Sequence, residues 1–412
     1  MIGKTCPFEK KNFHSFFPFR FYVTIHLISL FSLYFYLDEK TRLEMPMRNE
    51  KINIFVMTHC KFECPRHSIY IPLQVGHALH DDLGYIGDDS GDNISVKNPY
   101  YSELTGLYWA SHNVDDADYM GLCHYRRFFL NESGIIMNAQ DYSDIFQDYD
   151  IILPKATLHP KPYREVYAEA HNLQDLLLVG KAIEKLHPEY APYFREALES
   201  NLVFSGNLFV TDSTRFKAYT NWLFSIFDVV EGQIDPDRYD NYHKRVYGFL
   251  SEQLLSVWVA KNELTVYEAN VGITQLKSET AELKASLCTL ASAGTLEGVK
   301  QALDLFRTTL KARPDLLLPA SDLDGELTDM FRVLHVLELE LQENNYTNNT
   351  FNCMFFLSTD LSVLVKQFRL ITSILLHVVQ NTASEVEKDY LRDSRISDSL
   401  YDTIRSLHPE LK

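Results

Sequence analysis

Between residues 51 and 272, short apolar runs that end in polar residues alternate with longer amphipathic ones, and from about 275 the short runs stop. That alternation constrains the chain more than any other feature, because strands interleaved with helices point to an α/β sheet covered by those helices. "KINIFVMTH" (51–59) opens it: Ile52, Ile54 and Val56 alternate on one face, and the run ends in Thr58 and His59. "NPYYSELTGLYWASHN" (98–113) reads as a helix with Asn98 as N-cap, Pro99 at its first position, and Leu104, Leu107 and Tyr108 on one stripe. "YMGLCHYRRFF" (119–129) is a second strand and "YDIILP" (149–154) a third. Helices are predicted over 163–186, 190–199, 214–231 and 243–262, with a bent strand or a strand–turn–strand over 201–211. The spacing therefore predicts one α/β domain over 48–272 and an all-helical region over 275–412. The most apolar part of the latter, 351–379, carries Asp360, Lys366 and Arg369 at intervals, which predicts a buried helix and not a membrane span.

The formal net charge of −17, from 56 acidic and 39 basic side chains, argues against general nucleic-acid binding, which needs a basic face. Six scattered cysteines in a chain of this length read as reduced cytosolic thiols. Cys60 and Cys64 lie close to His59 and His67, but no second ligand pair follows at matching spacing, so zinc is not expected. Residues 1–47 form an N-terminal apolar extension. Its "FYVTIHLISLFSLYFYL" (21–37) reads either as a short signal anchor or as sequence upstream of a true start at Met45 or Met47.

In so acidic a chain, three potential cations at the mouth of an apolar strand are conspicuous. His124, Arg126 and Arg127 follow Tyr119, Met120, Leu122 and Cys123. Strand alternation would put His124 and Arg126 on one face and Tyr125 and Arg127 on the other, so that an imidazole and a guanidinium meet the same anion. The competing reading pairs the arginines with carboxylates of the Asp-rich loop 88–92. "DAD" (116–118) precedes the strand and so lies at its amino end, away from the carboxyl ends where open α/β sheets bind ligands. It reads as a turn, with metal ligation as the alternative.

Taken together, "THCKF", "GYIGDDSGDNISVKNPYYSELTGLYWA", "DYMGLCHYRRFF", "FSGNLFV" and "RVYGFLSEQLLSVWV" resemble a family of bacterial capsular and exopolysaccharide glycosyltransferases. Its shared domain was long catalogued as of unknown function. The resemblance covers about 48–265, and "LCHYRRFF" is its most specific motif. It implies a GT-A-like, Rossmann-type nucleotide-sugar transferase fold, and transfer of a sugar from a nucleotide-diphosphate donor, of the UDP-sugar kind, to a growing and lipid-linked glycan; the alternative is a non-catalytic nucleotide- or carbohydrate-binding scaffold in a polysaccharide-assembly complex. The implied location is the cytoplasm, at the inner face of the plasma membrane.

On this resemblance the donor site would use Thr58 and His59 for the nucleoside and Asp88, Asp89 and Asn93 for ribose or sugar hydroxyls. His124, Arg126 and Arg127 would hold the diphosphate, replacing or supplementing the manganese or magnesium used by most GT-A enzymes. Asp175 and Glu252 are the candidate bases for an acceptor hydroxyl. Gln253 and Leu208 depart from the family's usual Ser-Glu-Arg and Asn-Met patterns, while Asn207 is retained. The helical region, which lacks an evident cation-plus-acid cluster, is expected to contact a partner or the acceptor and to take no part in donor binding.

Overall fold

The computed structural model describes residues 50–204, 206–318, 321–342, 358–393, 397–408 and 411, so the readings of the N-terminal extension and of Cys6 and Cys353 lie outside the described residues. Strand β1 (Ile52–Thr58) is buried along its whole length, because both of its faces are covered. Ile54 and Val56 belong to one apolar core, Phe55 and Met57 to another on the opposite face. A strand buried on both sides reads as a continuous apolar run, which is why its sequence shows more than the simple alternation of a half-exposed strand.

β1 pairs in parallel with β2 (Tyr70–Gln74) on one side and with β4 (Tyr119–His124) on the other, and β3 (Ile86–Gly87) extends the β2 edge. Beyond β4 the pairing turns antiparallel. β9 (Phe209–Asp212) lies between β4 and β6 (Ile151–Pro154), and β10 (Val266–Ile273) runs parallel to β6. The second half of β10 then pairs with β5 (Arg127–Leu130), and β5 meets β4 at the His124–Arg127 pair, so this half of the sheet closes on itself. A separate ribbon joins β7 (Thr157–Leu158) to β8 (Leu202–Val203). The protein is thus a mixed α/β fold around a sheet core, followed by a helical C-terminal region.

The helix expected over 98–113 is two. α1 (Asn98–Tyr101) stops at Ser102, whose φ of 50° breaks the helix, and α2 (Leu104–Asn113) restarts beyond it. Asn98 is therefore not an N-cap. It has helical backbone, and its Nδ2 donates to the Ser102 carbonyl at 2.8 Å, closing the turn from within. Similarly, the helix expected over 163–186 divides into α4 (Tyr163–Ala170) and α5 (Leu173–Leu186), with Asn172 capping the second through the Gln174 amide. α3 (Ala139–Ile145), α6 (Ala191–Glu199), α7 (Ser213–Val230) and α8 (Val246–Lys261) complete the α/β region.

Among the described residues six helices follow: α9 (Ser278–Ala291), α10 (Leu296–Ala312), α11 (Glu326–Gln342), α12 (Leu361–Val379), α13 (Glu385–Asp393) and α14 (Asp398–Leu407). They share a hydrophobic core of their own, built on Leu287, Val299, Leu303, Val333, Leu337 and Leu361. Among the described residues α12 is the one helix whose length and composition would cross a bilayer. Leu364, Val365, Phe368 and Ile371 pack it into that core, and Arg369 bonds Asp329 at 2.7 Å. Of the apolar stretch 351–379, residues 351–357 lie outside the described residues.

Candidate active site

The strand β4 does not run on through its cations. It ends at His124, the chain turns over Tyr125 and Arg126, and β5 begins at Arg127. This corrects the expected pairing of faces. In a two-residue hairpin the flanking residues sit opposite each other, so His124 faces Arg127, while Arg126 leaves with Tyr125 at the turn. Alternation of faces needs an extended backbone, and here the chain reverses.

His124 is then not a cation at neutral pH. Burial and the nearby Arg127 and Arg126 lower its pKa to about 4, against the opposing pull of Glu103 and a backbone hydrogen bond to Gly206. Its Nε2 is buried without a hydrogen-bond partner among the described residues. The imidazole is thus a neutral group with one nitrogen unspent, suited to a hydrogen bond with a ligand and unsuited to neutralising charge.

Gly206 also bonds, through its backbone, to the Glu252 carboxylate, so one peptide segment ties the imidazole to the acid. Burial and the negative charge of Glu103 raise the Glu252 pKa to about 7, although Arg127, the Gly206 backbone and Arg245 all pull it down. Only glycine suits position 206: its φ is 94°, and a Cβ there would meet Arg127 Nη1 and Leu208 Cδ1, each at 3.0 Å. Asn207 follows with a φ of 49°, held by its side chain. Its Nδ2 donates to Glu103 Oε1 at 2.6 Å and to the Gly248 carbonyl at 3.1 Å, and its Oδ1 accepts from Ser251 Oγ at 3.0 Å. Two backbone positions in the left-handed region, side by side and pinned by buried side chains, mark a loop held in a set shape. The crevice at the carboxyl end of β4 therefore gathers His124, Arg127, Glu103 and Glu252 around the 206–207 loop.

A second group lies along the end of β1. Thr58 is buried and shapes the turn, its Oγ1 donating to the Cys60 carbonyl at 2.5 Å and accepting from the Cys60 amide at 3.2 Å. His59 sets its ring edge-on to Tyr125, with centroids 5.2 Å apart, and loss of water lowers its pKa. Arg126 is only 5% exposed, and burial together with the Arg127 charge lowers its pKa while Tyr125 and Glu279 oppose the shift. Its carbonyl accepts from the Thr274 amide at 3.0 Å, where the chain leaves β10 for the helical region.

Other expected residues stand apart from this crevice. Asp88 is fully buried and accepts from the amides of Gly76 and His77, each at 3.0 Å, and from the hydroxyls of Ser95 and Thr105, each at 2.5 Å. Its four partners leave it knitting the loop to α2. Asp89 pairs with His77 at 2.8 Å, and Asn93 bonds the carbonyls of Asp89 and Gly91. Asp175 faces a separate cleft of about 310 Å³ with Tyr167, His171 and Phe249, and accepts from the Tyr239 hydroxyl at 2.6 Å. Burial raises its pKa, against that hydrogen bond.

The "DAD" segment is at the amino end, as its position implied. Asp118 accepts from the Lys51 amide at 2.8 Å and Asp116 pairs with the Lys51 ammonium. Among the described residues no three His, Cys, Asp or Glu side chains are arranged to hold a metal ion. Cys60, Cys64, Cys123 and Cys288 are free thiols.

Glu103 and Gly206 went unrecognised as site residues. Glu103 sits in "SELTG" with nothing local to mark it, and Gly206 shows its importance only through a backbone angle. The "SGN" triplet was the available signal: a glycine and an asparagine before a strand suit left-handed backbone.

The model of a domain of unknown function, DUF4422, matches residues 53–263, and the chain belongs to that family. That span agrees with the stretch in which the motifs were expected to share such a domain. Among solved structures, a bifunctional glycosyltransferase, WbbM, in its apo form, is similar over 55% of this chain at 30% identity, with a TM-score of 0.49. The chain spans 45% of that structure's length. No curated protein matches the chain.

Proposed function

We propose that this protein is a glycosyltransferase of GT-A-like architecture that moves a sugar from a nucleotide-diphosphate donor, of the UDP-sugar kind, to a growing capsular, exopolysaccharide or O-antigen glycan carried on a lipid. The observation that carries this reading is the crevice at the carboxyl end of β4, where a half-buried acid of pKa about 7 lies in the field of the Arg127 guanidinium. Transfer needs both. The acceptor hydroxyl gives its proton to Glu252 as its oxygen attacks the anomeric carbon, and the bond from that carbon to the diphosphate oxygen breaks. The electron pair leaves with the nucleoside diphosphate, whose growing charge Arg126 and Arg127 offset. A base with a pKa near 7 is ionised often enough to act and still basic enough to take a proton. With its one N–H turned to the Gly206 backbone, the neutral His124 leaves Nε2 as an acceptor for a sugar hydroxyl.

Glu252 is a better base than Asp175, which is committed to Tyr239 and lies in the neighbouring cleft. The aromatic lining of that cleft suits the acceptor glycan, and Tyr167 links the two places, feeling the charges of both Asp175 and Glu252. The reaction would take place in the cytoplasm, at the inner face of the membrane that carries the acceptor. The test is to incubate the full chain with a panel of nucleotide sugars and follow nucleoside diphosphate release, with Glu252→Gln as control. Release by the natural protein and none by the variant is expected. A natural protein that neither binds nor consumes any nucleotide sugar would sink the reading.

A further inference from the structure

The helical region begins beside the crevice. After Thr274 bonds the Arg126 carbonyl, the chain reaches Lys277 and then Glu279, in the first turn of α9. The Glu279 carboxylate acts electrostatically on His59, Tyr125 and Arg126 of the α/β region. It also bonds Arg313, from the end of α10, at 3.3 Å. Arg313 in turn forks onto Asp315 at 2.8 and 3.0 Å, and Lys277 pairs with Asp315 as well. Despite burial, which pushes it up, these two cations hold the Asp315 pKa at about 2.

Between these groups lies a cleft of about 410 Å³ lined by Asp240, Tyr242, Arg245, Glu279 and Arg313, with Asp240 accepting from the Tyr242 and His243 amides at 2.8 and 3.0 Å. Arg245 and Arg313 both stack on the Tyr242 ring, at 4.6 and 4.5 Å from its centroid. Arg245 also reaches the field of His59 and of Glu252, so the cleft is electrically continuous with the crevice. Two like-charged guanidinium groups drawn to one ring, with an acid beside them, form a site built for anionic groups.

We propose that this cleft is a diphosphate subsite completed by the helical region: a nucleotide's phosphates take the place of the Glu279 carboxylate among Arg126, Arg245 and Arg313. The inference rests on the glycosyltransferase reading and is the opposite of the expectation that the helical region takes no part in donor binding. Without a ligand, Glu279 stands in for the phosphates and keeps the cations compensated. Planar guanidinium forks can then exchange one oxyanion for another with little rearrangement.

Calorimetric titration of the full chain with UDP and, separately, with inorganic pyrophosphate tests this, using the natural protein, Arg313→Ala, Arg313→Lys and Glu279→Gln. Thermal melting reports folding for each. Arg313→Ala should weaken both probes by about tenfold or more, as expected for a lost charge-assisted hydrogen bond. Arg313→Lys should recover part of that loss, and Glu279→Gln should tighten binding because the competing acid is gone. The opposite signs are what a mere docking ion pair would not produce. If Arg313→Ala and Glu279→Gln both leave UDP affinity unchanged, or both lower it in step with the melting temperature, the subsite is wrong and the glycosyltransferase reading stands. Pyrophosphate affinity that depends on Arg313, in a protein that turns over no nucleotide sugar, would keep the anion site and remove the glycosyl transfer. Failure of the natural protein to bind either probe would overturn both.

Discussion

The two ends of β1 and β4 carry similar numbers of charged side chains and use them differently. At the amino end, on the surface, the Lys51 ammonium pairs with Asp116 and the Lys51 amide donates to Asp118. At the carboxyl end Glu252 is half-buried with Glu103 near it, His124 keeps a nitrogen unspent, and the adjoining loop sits in left-handed backbone. Solvated, mutually compensated charges cost nothing to hold and do little. Buried, incompletely compensated ones are costly to hold, and their pKa values move toward the range where proton transfer operates. The contrast locates chemistry by electrostatic tension and not by charge count.

The largest effect should come from the carboxyl end. Glu252→Gln should lower kcat by about a hundred- to ten-thousandfold, the usual worth of a positioned base, while leaving nucleotide affinity nearly unchanged. Glu252 must be deprotonated to act, so turnover should rise with pH through about 7, and Glu252→Gln should flatten that limb. A variant that keeps the natural pH profile would mean that another group is the base. Next in size, Arg127→Ala should slow turnover by roughly ten- to a hundredfold, from one lost charge-assisted contact to the leaving group. It should also raise the Glu252 pKa, shifting the acid limb of any residual activity to higher pH.

Asp88→Asn should not touch the chemistry directly. It should destabilise the fold by about 1–3 kcal/mol in chemical denaturation, since a buried acceptor with four donors is weakened. Glu252→Gln should have an opposite and pH-dependent effect on stability. The folded-state pKa lies above the ordinary carboxylate value, so the native state holds a proton that the unfolded state releases, and stability falls as pH rises from about 4.5 through 7. The variant should therefore melt at a higher temperature than the natural protein at pH 8 and show little gain at pH 4. Smallest of all, Asp116→Ala should change neither turnover nor melting measurably, because its ion pair is exposed. A dead Asp116→Ala protein would reverse the comparison and return the metal reading to the "DAD" segment.

Much of the fold was legible. The strands at 52–58 and 151–154, the helices at 213–230 and 246–261, and the change to helices beyond 275 all follow from local apolar patterns. The breaks at Ser102 and at His171–Asn172 were not legible, since the residues on either side keep helical periodicity and only the backbone shows the interruption. Of the expected site residues, Glu252, His124 and Arg127 meet in one crevice. The burial of Asp88 among four donors was not legible, because an acidic loop residue looks the same whether it faces solvent or holds the loop together.

What the sequence determined by itself was the order of strands and helices and the end of β4 at which His124, Arg126 and Arg127 sit, because both rest on periodicity and chain direction. What only the tertiary structure decided was which charges share a space. The hairpin at Tyr125–Arg126 exchanged Arg126 for Arg127 beside His124, and the fold brought Glu103, Gly206 and Glu252 together from three distant segments. It also carried Arg313 back over the α/β region to Tyr242. A pKa near 7 at Glu252 belongs to none of those segments alone. It arises from burial and from a second carboxylate, and both exist only once the chain has folded.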